Sequence, residues 1–331
     1  MPGEKGRAAP VGVLWTNLGT PAAPRPAEVR RYLRQFLTDR RVVDLNPVLW
    51  RLLLELVILP RRGRASAHAY ATVWTPDGSP LLANSRRQAE ALGRALGPDF
   101  RVETAMRYGE PSIGRAVCDL LAAGCERIIL LPAFPQYASA TTGSAIEETF
   151  RVLQKLRAIP ALSVVPPYPE DSGYLDALAE GARAATAWKT VDHWIFSFHG
   201  IPVRYAREGD PYPEQCAATA RGLAARLELA PDAWTLTWQS RFGRERWLEP
   251  ATDTYVVERA RRTSTLAVIV PGFTADCLET LEEIGDRLRE DFLGAGGREF
   301  VLVPALNDAD TFVQALADLV RASAFRDGRL G

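Results

Sequence analysis

Residues 265–273 read TLAVIVPGF, an unbroken apolar run that stops at Pro-Gly. A strand with one face in water alternates apolar and polar residues. One covered on both faces does not, and parallel strands under helices are of that kind. Residues 127–134, RIILLPAF, are the same kind of segment, and each leads into a helical pattern. Earlier in each half stands another matching pair, VLWTNLGTP (13–21) and IFSFHGIP (195–202). Each runs as a strand into Gly-x-Pro, then a Pro-containing loop and a helix. In this alignment His199 takes the place of Leu18.

The remaining pattern fits. Strands are expected at 11–16, 101–107, 127–133, 162–166, 191–198, 234–239, 265–270 and 300–303. Helices are expected at 26–37, 46–58, 81–96, 111–123, 143–157, 172–187, 213–228, 249–262, 276–292 and 308–322. Alternating strands and helices predict an α/β fold with parallel sheets flanked by helices. The repeat predicts two similar Rossmann-like domains with a cleft between them. Residues 1–9 read as a flexible tail, 10–168 as the first domain and 169–331 as the second. PPYPED (166–171) is the Pro-rich linker.

The totals exclude some functions. The 331 residues are 47% hydrophobic, enough for a full core, and carry 40 basic against 40 acidic residues. Zero net charge argues against nucleic-acid binding. Cys118, Cys125, Cys216 and Cys277 show no CxxC spacing and read as reduced thiols in a cytoplasmic protein. MPGEKGRAAP (1–10) lacks a signal peptide's apolar core. LWRLLLELVILP (49–60) is shorter than the roughly 20 residues of a spanning helix. The segment 40–64 around it has no counterpart in the second half. Its apolar helix, flanked by Arg40, Arg41, Arg61, Arg62 and Arg64, suits a membrane interface as well as a core.

In open α/β sheets, ligands bind beyond the carboxyl ends of the strands. His199, one of three histidines, stands at such an end. Position alone favours a satisfied structural histidine, but its ordinary pKa also suits proton transfer or metal binding. His193 reads as structural and His68 as solvent-facing. Asp276, Glu279 and Glu283 follow i, i+3, i+7 spacing on one helix. They read as dipole-favoured acids, or as a ladder carrying protons or a hard cation from the cleft. Thr141, Thr142, Gly143 and Ser144 cap a helix or bind an anion, without a GxGxxG or Walker pattern. Tyr137, Arg107, Tyr108 and Trp247 are expected at strand ends or in cleft loops. Aromatics with arginine suit a flat, carboxylate-bearing ligand.

With these residues laid out, the chain resembles the ferrochelatases, which insert ferrous iron into a porphyrin. The likeness runs from about residue 11 to residue 322. It rests on NLGTP (17–21), VWTPDGSPL (73–81), MRYGEPSI (106–113), FPQYASATTGS (134–144), SFHGIP (197–202), GDPYPEQC (209–216), WQSRFGRERWLEP (238–250) and PGFTADCLETLEEI (271–284). The resemblance implies two Rossmann-like domains around a porphyrin cleft, with 40–64 as a lip against the membrane. It implies catalytic roles for His199, Glu279 and Glu283, and His199 and Glu279 as metal-binding groups. Asp276, Glu279 and Glu283 would relay protons or metal. Leu18, Arg62, Arg107, Tyr108, Tyr137 and Trp247 would contact the porphyrin, with Leu18 facing His199 across the ring.

Two departures matter. Cys277 stands where some relatives carry a histidine. Ser139 stands where animal-type enzymes carry a cluster-binding cysteine, and the chain ends RASAFRDGRLG without cysteine. No [2Fe–2S] cluster and no permanently bound cofactor are therefore expected. DCLETLEEI (276–284) is similar to the proteobacterial branch, which implies protoporphyrin IX and Fe2+ as substrates. A monomer in the cytoplasm, in peripheral contact with the inner membrane, is the expected state. The alternatives are a chelatase for coproporphyrin, or for cobalt with a precorrin-type ring, and a non-catalytic porphyrin carrier.

Overall fold

The computed structural model describes residues 9–241, 243 and 245–325. Its strands form two four-stranded sheets. The first contains β1 (Val11–Gly19), β2 (Phe100–Tyr108), β3 (Arg127–Pro132) and β4 (Ala161–Val164) in the order β2-β1-β3-β4. The second contains β5 (His193–His199), β6 (Trp234–Gln239), β7 (Thr265–Ile269) and β8 (Glu299–Leu302) in the order β6-β5-β7-β8. Every pairing is parallel. The second order is the first advanced by one set of strands, so the repeat seen in the sequence is a repeat of topology.

Burial follows the strand period. Val13 and Trp15 of β1, and Trp194, Phe196 and Phe198 of β5, enter one central core. Phe312 and Leu316 of the helix Asp310–Phe325 join them. The alternate residues face outward into separate layers. Leu14 meets Ile113, Val117 and Leu120. Ile195 meets Val256, Ile284 and Leu288. This explains why β3 and β7 carry no polar alternation, since both of their faces are covered. It also gives Leu18 and His199 equivalent places, four residues beyond Leu14 and Ile195. The last helix runs back over the first half, where Arg321 Nη2 donates to Ala95 O at 2.7 Å.

Two helices depart from their sequence patterns. The lip helix does not stop at residue 58. It passes from α-helix (Pro47–Leu53) through a π-helical turn (Leu54–Ile58) into a further α-helix (Leu59–Val73). Pro60 lacks an N–H and its ring crowds the carbonyl one turn back, and the wider turn before it absorbs both faults. Arg61, Arg62 and Arg64 therefore lie inside a helix instead of flanking one. The acidic helix is π-helical over Glu279–Leu288 before becoming α-helical at Arg289–Gly294. A third π-helical turn, Ser139–Gly143, precedes the helix Ser144–Leu153.

Candidate active site

A cavity of about 750 Å³ opens at the carboxyl ends of both sheets. Such a volume is typical of sites for drug-sized ligands and cofactors. β1 contributes Leu18 and Gly19 to its wall, followed by Thr20, while the end of β5 contributes His199, followed by Gly200. Gly19 has φ +121, and a Cβ there would lie 1.8 Å from Tyr108 O, so only glycine fits. The two strand ends thus bring an apolar residue and a histidine to one cavity, as the repeat suggests.

His199 is half-buried, and its Nδ1 lies 2.7 Å from Gly200 O. A carbonyl only accepts, so Nδ1 carries the proton and donates. In the neutral ring, Nε2 then holds the lone pair. Beyond it runs the π-helix. Its wider turn keeps i, i+4 and i+8 on nearly one face, so Glu279, Glu283 and Arg287 all line the cavity. Ser240 Oγ donates to Glu283 Oε2 at 2.6 Å. Burial raises the Glu283 pKa above the usual carboxylate range, against the Ser240 hydrogen bond and the nearby His199. A carboxyl held that way exchanges a proton nearer neutrality. Cys277, buried beside Glu279, is kept a neutral thiol chiefly by burial.

The ferrochelatase family model matches residues 10–324. Ferrochelatases of Escherichia coli, among them those of strains S88 and E2348/69, are 47% identical over 318 residues, covering 96% of this chain and 99% of theirs. The chain belongs to the ferrochelatase family. Among solved structures, SirB from Bacillus subtilis with Fe3+ shares the fold, with a TM-score of 0.53 and 12% identity over 96% of each chain. The sirohydrochlorin chelatase SirB in complex with cobalt does so at a TM-score of 0.52 and 12% identity, over 96% of this chain and 97% of the other.

Within this ferrochelatase-family cavity the remaining expected residues divide. Arg62 and Trp247 line it. Trp247 also packs on Gly200, with Cε3 only 3.1 Å from where a Cβ would stand. Asp276 does not line it. Its Oδ1 accepts from Thr280 Oγ1 at 3.0 Å and from the Ala305 N–H at 3.2 Å, and its Oδ2 accepts from Asn307 Nδ2 at 2.8 Å. Asp276 thus ties the helix start to the loop after β8, and the ladder begins at Glu279. The i, i+3, i+7 reading presumed a helix already under way at Asp276, whereas the chain there is not yet helical and the π-helix begins at Glu279.

Arg107 and Tyr108 also lie outside the cavity wall. Tyr108 is fully buried. Asp39 Oδ2 accepts from Arg107 Nη2 at 2.6 Å, from Tyr108 OH at 2.8 Å and from Ser144 Oγ at 2.6 Å. Burial alone would raise the Asp39 pKa, but hydrogen bonds from Ser144, the Arg41 N–H and Tyr108, with the Arg107 charge, hold it below the usual value. Tyr137 is half-buried, with its hydroxyl against Gly143 instead of in the cavity wall. Its neighbours Phe134, Gln136 and Ala138 line the cavity in its stead. Ser144 therefore serves Asp39 and Arg107. Ser139 donates its N–H to Asp210 Oδ2 at 2.8 Å and accepts from Arg41 at 3.3 Å on Oγ.

Several residues escaped the sequence reading. Tyr32, Phe36 and Tyr70 supply aromatic wall from helices of the first half. Tyr32 and Phe36 stand at i, i+4 on one helix, a signal that was available. Ser240 has a left-handed φ of +66, and nothing in the sequence marks it.

The exposed apolar surface is concentrated on the lip. Leu45, Val48, Leu49, Leu52, Leu53, Leu56 and Val57 are all exposed, Leu56 to 74%. Trp50, Leu54 and Leu59 turn inward, and Trp50 Nε1 donates to Leu37 O at 2.6 Å. Among the described residues, no helix is long and apolar enough to cross a membrane.

Proposed function

We propose that this protein inserts ferrous iron into protoporphyrin IX to give protohaem, and that the cavity between the sheets holds the macrocycle. One observation carries the reading. The Gly200 carbonyl fixes the His199 tautomer, so the nitrogen with the lone pair is the one not committed to the backbone.

Insertion replaces two pyrrole N–H protons by Fe2+ and releases both protons. A flat ring hides its nitrogens, so contacts remote from the metal must favour a distorted ring. The halves 10–168 and 169–331 act as jaws that supply them, with Leu18 against one face. His199 Nε2 accepts a pyrrole proton. Glu283 and Glu279 pass protons outward, and the raised Glu283 pKa suits that exchange. Asp276 is left out, because both of its oxygens serve backbone and side-chain partners. His199 and Glu279 are also donor types that bind ferrous iron as it arrives. Nε2 cannot hold a proton and a metal together, so metal contact precedes or follows the proton step at that atom.

Arg62 and Trp247 contact the porphyrin at the mouth and wall. The exposed lip face rests in the cytoplasmic surface of the inner membrane, so an apolar substrate and product avoid crossing water. The protein works there as a monomer. The test is fluorescence of protoporphyrin mixed with Zn2+ and enzyme. Zinc porphyrin formed over many turnovers is expected, whereas binding without metallation would make the protein a carrier.

A further inference from the structure

Residues 38–46 form a strap that connects the helix Pro26–Leu37 to the lip helix. Val42 and Val43 of this strap line the cavity. The exposed lip face begins at Leu45. The strap is held by a buried pair at Asp39, by the exposed Arg41, which reaches Glu147 and Ser139, and by contacts of Val42 and Asp44 with the second half.

The inner point is Asp39. Its pair with Arg107 is desolvated, with side chains 10% and 14% exposed, and Tyr108 and Ser144 bind the same oxygen. Such a pair does not open readily, because separation strands a buried charge.

The outer point lies on the short helix Val203–Arg207 of the second half. Tyr205 OH accepts from the Asp44 N–H at 3.2 Å and donates to Val42 O at 3.3 Å. Arg204 binds the Asp44 carboxylate at 3.3 Å and its carbonyl at 3.4 Å. The same guanidinium reaches Glu245 and Glu208, each at 3.3 Å, and stacks over the Tyr205 ring at 4.8 Å. Glu245 belongs to the loop that carries Trp247 over Gly200. Arg204 therefore joins the strap, the second half and the Trp247 loop. Arg204 and Asp44 are 35% and 49% exposed, so each contact is screened and weak.

We propose that Arg204 is a positioning residue. With Tyr205 it latches residues 42–44 of the strap across the cavity mouth, and release of this latch, with Asp39 as the fixed pivot, sets the rate at which porphyrin enters and leaves. The idea rests on the cavity being the porphyrin site, but its first test does not. A buried anchor at Asp39 and exposed contacts beyond it make a hinged cover, since the contacts of Arg41 and Arg204 can open without stranding a buried charge and the Asp39 pair cannot. The cover also connects the lip to the site, because the apolar face starts one residue beyond Asp44.

Hydrogen-exchange mass spectrometry on the ligand-free protein tests the latch directly. In Arg204→Gln, exchange in a peptide covering residues 42–45 should quicken roughly five- to tenfold, the scale of losing a few exposed contacts. Peptides around Arg107 should not change. Stopped-flow fluorescence then follows protoporphyrin release. Release should be several-fold faster in Arg204→Gln, near wild type in Arg204→Lys, and accelerated by salt only where Arg204 is present. Unchanged exchange at 42–45 would overturn the latch, and so would unchanged porphyrin release. So would loosening at Arg107 together with a lower thermal midpoint, which would make Arg204 a general stabiliser. If the wild type failed to bind or metallate porphyrin, the functional reading would fall, while the exchange measurement would still decide the latch.

Discussion

At the carboxyl end of the first sheet, β1 delivers Leu18 and Gly19 to the cavity, with Thr20 just beyond it. At the matching end of the second, β5 delivers His199 and β6 delivers Gln239, with Ser240 just beyond it. The scaffold is the same on both sides, down to strand order and inward-outward alternation. The chemistry is not. The first half supplies apolar and aromatic wall, the strap and the lip. The second brings His199, Glu279 and Glu283 to the cavity, with the Ser240 hydroxyl on Glu283, beside aromatic wall of its own from Trp238, Trp247 and Phe273. Under the proposed function, one duplicated frame carries a half that shapes the site and a half that reacts.

The sharpest way to break this division is to exchange the two equivalent residues' roles by deletion. His199→Ala should lower metal insertion by about 10²–10⁴-fold at saturating porphyrin, the usual range for losing a positioned base. Leu18→Ala should mainly weaken porphyrin binding and leave turnover of bound porphyrin near wild type. Steady-state zinc insertion separates the two outcomes. Equal losses in turnover would end the distinction between shaping and reacting halves.

Asp39→Asn tests whether the first half's charge is structural. Arg107 would keep a buried charge without its counter-ion, so stability should fall by about 3–5 kcal/mol. Denaturant unfolding reads this. A mere loss of activity at full stability would instead return Arg107 and Tyr108 to the substrate site.

His193, at the far end of β5 from His199, should govern acid stability. Burial first, and then the Arg259 charge, push its pKa down to about 4 from 6.5. A neutral imidazole is thus favoured in the fold. Its contribution is fully present above pH 6.5 and is lost as pH falls towards 4, amounting to about 3 kcal/mol at 1.36 kcal/mol per unit. Thermal midpoints measured between pH 7 and 4.5 should drop more steeply in wild type than in His193→Gln. Parallel slopes would place the acid sensitivity elsewhere. The two histidines of one strand would then no longer divide into a structural and a reactive one.

The smallest effect concerns the lip. Leu52→Asp and Leu56→Asp alter side chains that are 56% and 74% exposed, so folding should be unaffected. Association with anionic vesicles in flotation should fall several-fold, as buried apolar area is lost from the interface. Unchanged flotation would remove the membrane role from these positions.

Much of this was legible in the sequence. The central strands β3 and β7 could be read because each is a short apolar run, closed by Pro or Pro-Gly. The His199–Leu18 pairing could be read because strand alternation preserves position through a repeat. Three kinds of feature could not. Asp276 falls outside the ladder because the helix starts after it, and because its partners Ala305 and Asn307 are distant in the chain. Arg107 and Tyr108 do sit at a strand end, but Asp39 arrives from the strap to cover them. The helix expected to end at residue 58 runs on through Pro60, because the π-helical turn that admits the proline leaves no compositional mark. In each instance a non-local contact or an uncommon helix decided the outcome.

The central claim is that His199 in the second half takes protons from the bound ring. Chemical rescue tests it most directly. Single-turnover zinc insertion into pre-bound protoporphyrin should be nearly abolished in His199→Ala and restored in part by added imidazole, with a rate that rises with the neutral form of imidazole. Near-wild-type insertion by His199→Ala without imidazole would contradict it.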